Sequence, residues 1–280
     1  MRIGIITNAY EAPRVRPLAN YLESRGAHVA WYVEEERVAD SAGLPFNEDA
    51  FFVKGKGYVL VELARLAQEY GDEVGAPVVN SPRAIWNAAH RFVYCLLCRR
   101  AGVPVPAFSV ARAEDARFDR FIAKNLIDQN HLRALDAFPV VGRPGDPIPD
   151  LNTGEEAGRD SIVPRFHLVQ EYVESEYEYK VYVFGPKFFF YRQVPVLVNP
   201  HKMETRVPVP EDPELRSLAA AAVGALGLEV ASVDFLKPEG RGYLLTDINS
   251  IPNFNYVEHG PGVLGEYLLS RAAGRGRRSA

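Results

Sequence analysis

The sequence predicts a chain of mixed α/β and α+β class, an N-terminal α/β unit followed by sheet-rich units. Three observations carry that prediction. The chain opens as strand, helix, strand: Arg2–Thr7 is a short apolar run, Pro17–Arg25 has helical spacing with Gly26 as its stop, and His28–Val33 is apolar again. Short β-branched strands alternating with amphipathic helices build a parallel sheet with helices on its faces. From Asp119 the texture changes, and strand-like segments follow one another from Phe166 to Val209, which suggests an antiparallel sheet. The third observation is Glu214–Leu226, ELRSLAAAAVGAL, the strongest helix in the chain, ended by Gly227 and followed by paired strands at Val230–Leu236 and Gly242–Ile248.

The remaining elements follow in order. Gly57–Tyr70 reads as a helix and Ala76–Asn80 as a short strand. Ser81-Pro82-Arg83 supplies an N-cap and a proline at the first helical position, and the helix it opens runs to Arg100. Ala101-Gly102 ends that helix, and Val103–Pro106 is a stiff extended linker. Phe121–Lys124 and Phe138–Val141 are strand candidates, and residues 142–161, rich in Gly, Pro, Asp and Asn, form a long loop of the kind that is functional or mobile. Phe166–Tyr172, Tyr179–Phe184, Phe188–Val196 and Thr205–Val209 supply the antiparallel strands. The chain thus divides into an N-terminal α/β domain (1–85), a central unit of helix, linker and lid (86–173), a C-terminal unit (174–270) and a basic tail (271–280).

Composition excludes several classes. With 32 Lys+Arg against 36 Asp+Glu the formal charge is −4, so no global basic field exists for a phosphate backbone, and neither nucleic acid nor membrane is expected as a partner. The run Arg275–Arg278 reads as a solvated tail. Cys95 and Cys98 share one face of an apolar-periodic helix and read as core residues; the zinc alternative lacks further ligands nearby. No secretory signal is visible, and no apolar run approaches the roughly 18 residues of a membrane span, so the expected location is cytoplasmic.

Chemistry concentrates in two places. Asp234 in Val233–Leu236 and Asp247 in Leu244–Phe254 lie near strand ends that a hairpin can bring opposite one another. Asp247 and Asn249, two apart, project from the same face of an extended chain. Three hard oxygen donors suit Mg²⁺ shared with substrate phosphates. The alternative is an exposed strand aspartate and an Asp-x-Asn turn cap before Pro252. The second constellation places Glu178 and Lys180 on one strand face, with Arg192 returned beside them by a hairpin. Such a set either takes an anion such as a triphosphate or is an ordinary salt-bridged surface.

Read together, VVNSPRAIWNAAHRFVYCLLCRRAGVPVP, LVQEYVESEYEYKVYVFG, VASVDFL and LLTDINSIPNF resemble, in order and spacing, the ATP-grasp superfamily. They are similar to the branch of ribosomal-protein glutamate ligase, lysine-biosynthesis carrier-protein ligase and glutathione synthetase, over most of the chain. The resemblance implies an ATP-grasp fold with a Rossmann-like N-terminal domain, and ATP with Mg²⁺, or Mn²⁺ in its place. It implies a carboxylate–amine ligase acting through an acyl phosphate, with small-molecule or peptide carboxylate and amine substrates, and a homodimer as the superfamily's usual assembly.

Residue by residue, the resemblance assigns Gln170, Glu171, Tyr172 and Val173 to the adenine-holding linker, with Glu171 and Val173 presenting main-chain groups. It makes Asp234, Asp247 and Asn249 the metal ligands, and adds Lys124, Arg91 and Glu178 to the nucleotide site. Lys180 and Arg192 face the γ-phosphate and substrate, and His201, Lys202 and Arg206 line the acceptor pocket. Arg143, in FPVVGRP, competes with Lys124 for the strand-cation role; the longer interval from Lys124 to Gln170 leaves room for a lid and a helix, which favours Lys124. The glycine-rich lid is not recognisable in either Asn125–Arg133 or Gly142–Gly158, and Arg91 stands where the family has lysine. Tyr179–Gly185 with its Lys180, Arg192 and Asp247-Ile-Asn249 also resemble the superfamily's inositol-polyphosphate kinases, in which the matching Lys and Arg bind substrate phosphates, so a polyol-phosphate kinase is the alternative enzyme and a degenerate nucleotide-binding protein the non-enzymatic one.

Overall fold

The computed structural model describes residues 1–36, 46–55, 58–112, 115–127, 140–143, 167–199 and 201–274. Three sheets organise them. The first is parallel, in the order β2-β1-β3-β4, from β1 (Arg2–Thr7), β2 (His28–Val33), β3 (Ala50–Lys54) and β4 (Val78–Val79). Alternation sends Ile3, Ile5 and Phe52 to one layer with α1 (Ala12–Ser24), and Ile6, Phe51 and Val53 to the other with α2 (Tyr58–Val74). Helix α1 starts upstream of the expected Pro17, because the Asn8 carbonyl and side chain accept the N–H groups of Ala12 and Glu11.

The expected single helix from Pro82 to Arg100 is two, α3 (Pro82–Ala89) and α4 (Arg91–Arg100). Ser81 caps α3 as expected, accepting the Ala84 N–H. At His90 the backbone turns extended, at φ −89° and ψ 99°, and bridges Ile127. The Arg91 N–H then donates to Leu126 O at 2.8 Å, so a passing segment supplies the partner that a continuous helix would have supplied.

A second, antiparallel sheet runs β5-β8-β6-β7, from β5 (Phe108–Ala111), β6 (Phe121–Lys124), β7 (Val140–Gly142) and β8 (His167–Glu171). The third, also antiparallel, runs β11-β10-β9-β12-β13, from β9 (Glu178–Phe184), β10 (Lys187–Gln193), β11 (Val207–Pro208), β12 (Val230–Leu236) and β13 (Leu244–Asn249). Helix α5 (Pro213–Leu226) is capped by Asp212 and closed by Gly227 at φ 73°, a left-handed conformation that glycine adopts without steric cost. Helix α6 (Gly260–Ala273) was not legible in the sequence pattern, as were neither β3 nor β5.

The third sheet is covered on both faces. Val181, Val183, Val233 and Phe235 share a core with Tyr94, Cys95 and Cys98 of α4 and Leu215 and Ala219 of α5. Tyr182 and Phe184, on the other face, share a core with the first sheet, α1 and α6. Both thiols are free and buried, and burial pushes each up to about 12. No helix among the described residues is long and apolar enough to cross a membrane. The two lid candidates beyond Ile127 and Arg143, and the run Arg275–Arg278, lie outside the described residues.

Candidate functional site

The register of the third sheet assembles one end of the site. Asp234 pairs with Lys180 on β9 and with Asp247 on β13, and directly opposed residues project from the same face. The same registers put Glu178, Ser232 and Asn249 on that face. Lys180 Nζ lies 2.5 Å from Asp234 Oδ1. Burial pushes the Asp234 carboxyl up, but the Lys180 ammonium, aided by Lys202, outweighs it and holds the group below its usual range. The Glu178 carboxyl, buried and beside Asp234, is held above its usual range.

A bulge re-aims the second acid. Asp234 faces Asp247, yet Phe235 faces Leu245, which leaves Thr246 unpaired between them. Its freed carbonyl accepts Lys124 Nζ at 2.8 Å and the Tyr94 hydroxyl at 3.2 Å, and Tyr94 reaches Asp247 Oδ1 at 3.5 Å. Asn249 Oδ1 accepts the Ile251 N–H at 2.9 Å, the turn-cap geometry, and keeps a second lone pair. Two carboxylates and an amide oxygen on one sheet face fit a hard divalent cation such as Mg²⁺.

The second sheet contributes from the opposite side. Lys124, the last residue of β6, spans to β13 through Thr246 O and also donates to Gln170 Oε1 at 3.2 Å. Burial lowers its ammonium below the ordinary value, against the opposing pull of Asp247. Arg91, at the first turn of α4, donates to the Asn125 carbonyl at 3.0 Å and to the Asn125 side chain, which sets it beside Lys124. Arg143 sits at the other end of the β6–β7 pair, next to the Phe121↔Gly142 step, and is exposed. Of the two candidate cations, Lys124 contacts the acid-bearing strand β13, through the carbonyl next to Asp247.

The linker after β8 is gripped from both sides. The Glu171 N–H donates to Ala107 O at 2.8 Å, and its carboxylate takes a two-point contact from Arg241 at 2.5 and 3.2 Å, which holds the carboxyl below its usual range. The Tyr172 N–H donates to Arg120 O at 3.1 Å, and the Arg120 guanidinium stacks 3.7 Å from the Tyr172 ring. Among the described residues the Val173 N–H has no hydrogen-bond partner, while its side chain packs with Leu236 and Leu244 in a small separate apolar cluster. A cavity of about 740 Å³ opens beside this linker, lined by Tyr172, Glu174, Ser175, Glu176, Val198 and Lys237.

Arg192 does not join the cluster. It pairs with Tyr179, whereas Lys180 pairs with Tyr191, so Arg192 projects from the opposite face and stacks over Tyr177 at 4.4 Å. The place expected of it is filled from the segment after β10. Lys202 lies 3.5 Å from Glu178, and Arg206 donates to Gln193 Oε1 at 2.6 Å and to the Tyr182 hydroxyl at 2.8 Å. Gln193 in turn donates to Glu178. Glu178 is therefore engaged by protein groups beneath the acids, and Gln170 likewise directs its side chain at Lys124. His201 is exposed at the rim. Sequence reasoning missed Thr246 and Tyr94; the first adjoins Asp247, but neither has a recognisable pattern of its own.

Comparisons with known proteins fit this geometry. No family model matches the chain. A protein named probable alpha-L-glutamate ligase 2, from Shewanella amazonensis, is 25% identical over 94% of this chain and 92% of its own length. A probable alpha-L-glutamate ligase from Photobacterium profundum is 41% identical over 24% of this chain and 23% of its own length. Among solved structures, a RimK domain ATP-grasp protein from Sphaerobacter thermophilus superposes with a TM-score of 0.68 at 18% identity, covering 96% of this chain and 100% of that one. The ATP-grasp ligase PsnB, complexed with precursor peptide PsnA2 and AMPPNP, gives 0.67 at 16% identity, covering 96% and 97%. The fold is therefore ATP-grasp.

Proposed function

We propose that the chain is a Mg²⁺-dependent carboxylate–amine ligase that forms an amide through an acyl phosphate and releases ADP and phosphate. The observation that carries this reading is the Asp234–Asp247 register pair, with Lys180 against the first acid and Lys124 reaching across to the strand of the second. Asp234, Asp247 and Asn249 would hold the metal, which supplies charge neutralisation at the transferring phosphoryl group. Lys180 and Lys124 add positive charge at the same end, and Arg91 sits behind Lys124. On the linker, the Glu171 N–H is already used, which leaves its carbonyl and the Val173 N–H as main-chain groups for an adenine edge; Val173, Leu236 and Leu244 give the apolar surface for its ring.

The reaction balances as follows. A carboxylate oxygen attacks the γ-phosphorus, the bond to the β–γ bridging oxygen breaks, and ADP leaves. The amine nitrogen then attacks the acyl carbon and loses a proton while phosphate departs. Lys202 and Arg206, with His201 at the rim, border the acid-bearing face and favour an anionic substrate there. The names of the glutamate ligase relatives and the precursor-peptide complex of the structural neighbour support amino acids or peptides as the class to test. The polyol-phosphate kinase alternative leaned on Arg192 beside Lys180, and the opposite-face position of Arg192 takes that residue out of the ligase and the kinase readings alike.

Turnover with Mg-ATP should be assayed against amino acids, acidic peptides and inositol phosphates. The expected products are ADP, phosphate and an amide, with Asp247→Ala losing about 100-fold or more of the rate. Pyrophosphate release, or full activity in Asp247→Ala, overturns the reading. Turnover with a polyol phosphate alone makes the chain a kinase.

A further inference from the structure

We infer that the N-terminal α/β unit, through Asn80 and Lys54, sets the orientation of the metal-binding end of the site. Both are positioning residues that act on Asn249 and the two acid-bearing strands without touching nucleotide. The inference rests on the proposed metal role of Asp234, Asp247 and Asn249.

The two side chains leave adjacent strands of the first sheet at their carboxyl ends. Lys54 is the last residue of β3, and Asn80 follows β4, its hydrogen-bonded neighbour. Both are buried, Asn80 completely. The Asn80 amide makes four hydrogen bonds. Its Oδ1 accepts the N–H groups of Glu229 and Val230 at 2.8 and 3.0 Å, and its Nδ2 donates to the carbonyls of Val230 and Ser250, both at 2.7 Å. One side chain therefore ties the start of β12, which carries Asp234, to the residue just past β13, which carries Asp247 and Asn249.

The path to Asn249 is short. The Ser250 carbonyl and the Ile251 N–H belong to one rigid peptide unit. Asn80 holds its oxygen, and its N–H donates to Asn249 Oδ1 at 2.9 Å, the atom proposed to meet the metal. The next carbonyl, Ile251 O, accepts Lys54 Nζ at 2.7 Å, and Lys54 is itself paired with Glu11 at 2.9 Å. Two consecutive carbonyls are thus pinned from one sheet. Groups that orient a metal ligand through its second contact tune metal affinity although they never touch the ion.

Asn80→Asp keeps the shape and removes both donors. A second variant, Glu11→Gln with Lys54→Met, removes the buried pair together; Arg14, which also contacts Glu11 at 3.5 Å, keeps its bonds to Tyr10. Leu264→Ala serves as the control, since it loosens the same apolar contact between α6 and the first sheet without reaching the loop. Mn²⁺ binding to the ADP-bound protein, followed by the paramagnetic resonance of the free ion, is measured beside the Mg²⁺ dependence and the ATP KM. For either test variant the expected result is metal binding weakened about tenfold or more, with ATP KM at saturating metal changed less than about threefold. Leu264→Ala should lose thermal stability with metal binding intact. Wild-type Mn²⁺ binding in whichever test variant folds overturns the inference, as does equal weakening in Leu264→Ala. Asp247→Asn is run alongside: if it leaves Mn²⁺ binding unchanged, the metal reading itself fails, whereas weakening there without weakening at Asn80 sinks only the positioning role.

Discussion

Lys180 and Arg192 sit on the two arms of one hairpin, and a single step of register separates their fates. Lys180 faces Asp234 because the two are directly opposed on β9 and β12; Arg192 faces the other way because its neighbour on β9 is Tyr179, one residue before Lys180. Lys180→Ala should therefore abolish most ATP-dependent turnover, while Arg192→Ala should stay close to wild type in initial-rate assays; comparable losses in both would refute the face assignment. The cysteines give a second residue-scale expectation. With both thiols buried and pushed up to about 12, the thiolate is scarce at neutral pH. Iodoacetamide should label Cys95 and Cys98 only as fast as the protein unfolds, and rapid labelling of the native state would contradict their burial. Both thiols were legible from spacing alone. The orientation of Arg192 was not, because alternation fixes a face relative to its own strand and only the turn between β9 and β10 decides which residues meet.

At the scale of elements, the helix with the strongest local signals is the one whose bounds agree most closely. Asp212 accepts the N–H groups of Glu214 and Leu215 and also takes the Tyr243 hydroxyl at 2.8 Å, so one carboxylate caps α5 and anchors it to the start of β13. Asp212→Ala should cost roughly 1–2 kcal/mol in urea unfolding, the usual range for a lost N-cap; a change under about 0.3 kcal/mol would mean that the cap is dispensable. The break at His90 shows the converse. No proline or glycine marks it, and residues 82–100 carry one continuous helical pattern. It exists because the strand-like segment through Leu126 and Ile127 docks there, and it places Arg91 at the first turn of a new helix with its guanidinium on Asn125. A bond to a distant segment has replaced one internal to the helix.

For the whole molecule, the third sheet is the common wall. One face closes over α4 and α5, and the other packs against α1, α6 and the first sheet. Helix α6 reaches back to the N-terminal unit: Gly265 lies against Tyr21, where an added Cβ would fall 2.4 Å from a ring carbon. The N-terminal unit is thus joined to the acid-bearing sheet by a continuous apolar core as well as by Asn80 and Lys54. Leu264→Ala, in the middle of that core, should destabilise the protein by about 2–5 kcal/mol in a single cooperative transition. Two separated transitions, with the second at the wild-type midpoint, would show that the units unfold independently.

The sequence by itself determined the strands, the long helix with its caps, the resemblance to ATP-grasp proteins, and the candidate acids, because each rests on local periodicity or on closely spaced residue types. It left β3, β5 and α6 unread. Strand β3 is buried throughout and α6 is apolar around most of its surface, so neither shows a strong alternation of apolar and polar positions. The tertiary structure alone decided how the candidate cations are set around the acids and which of them faces away. Lys124 and Arg91 come from a different sheet and helix, Lys202 and Arg206 replace Arg192 through register, and the Thr246 bulge frees the carbonyl that Lys124 binds. Pairing across strands and units depends on residues far apart in the chain, and no local pattern specifies it.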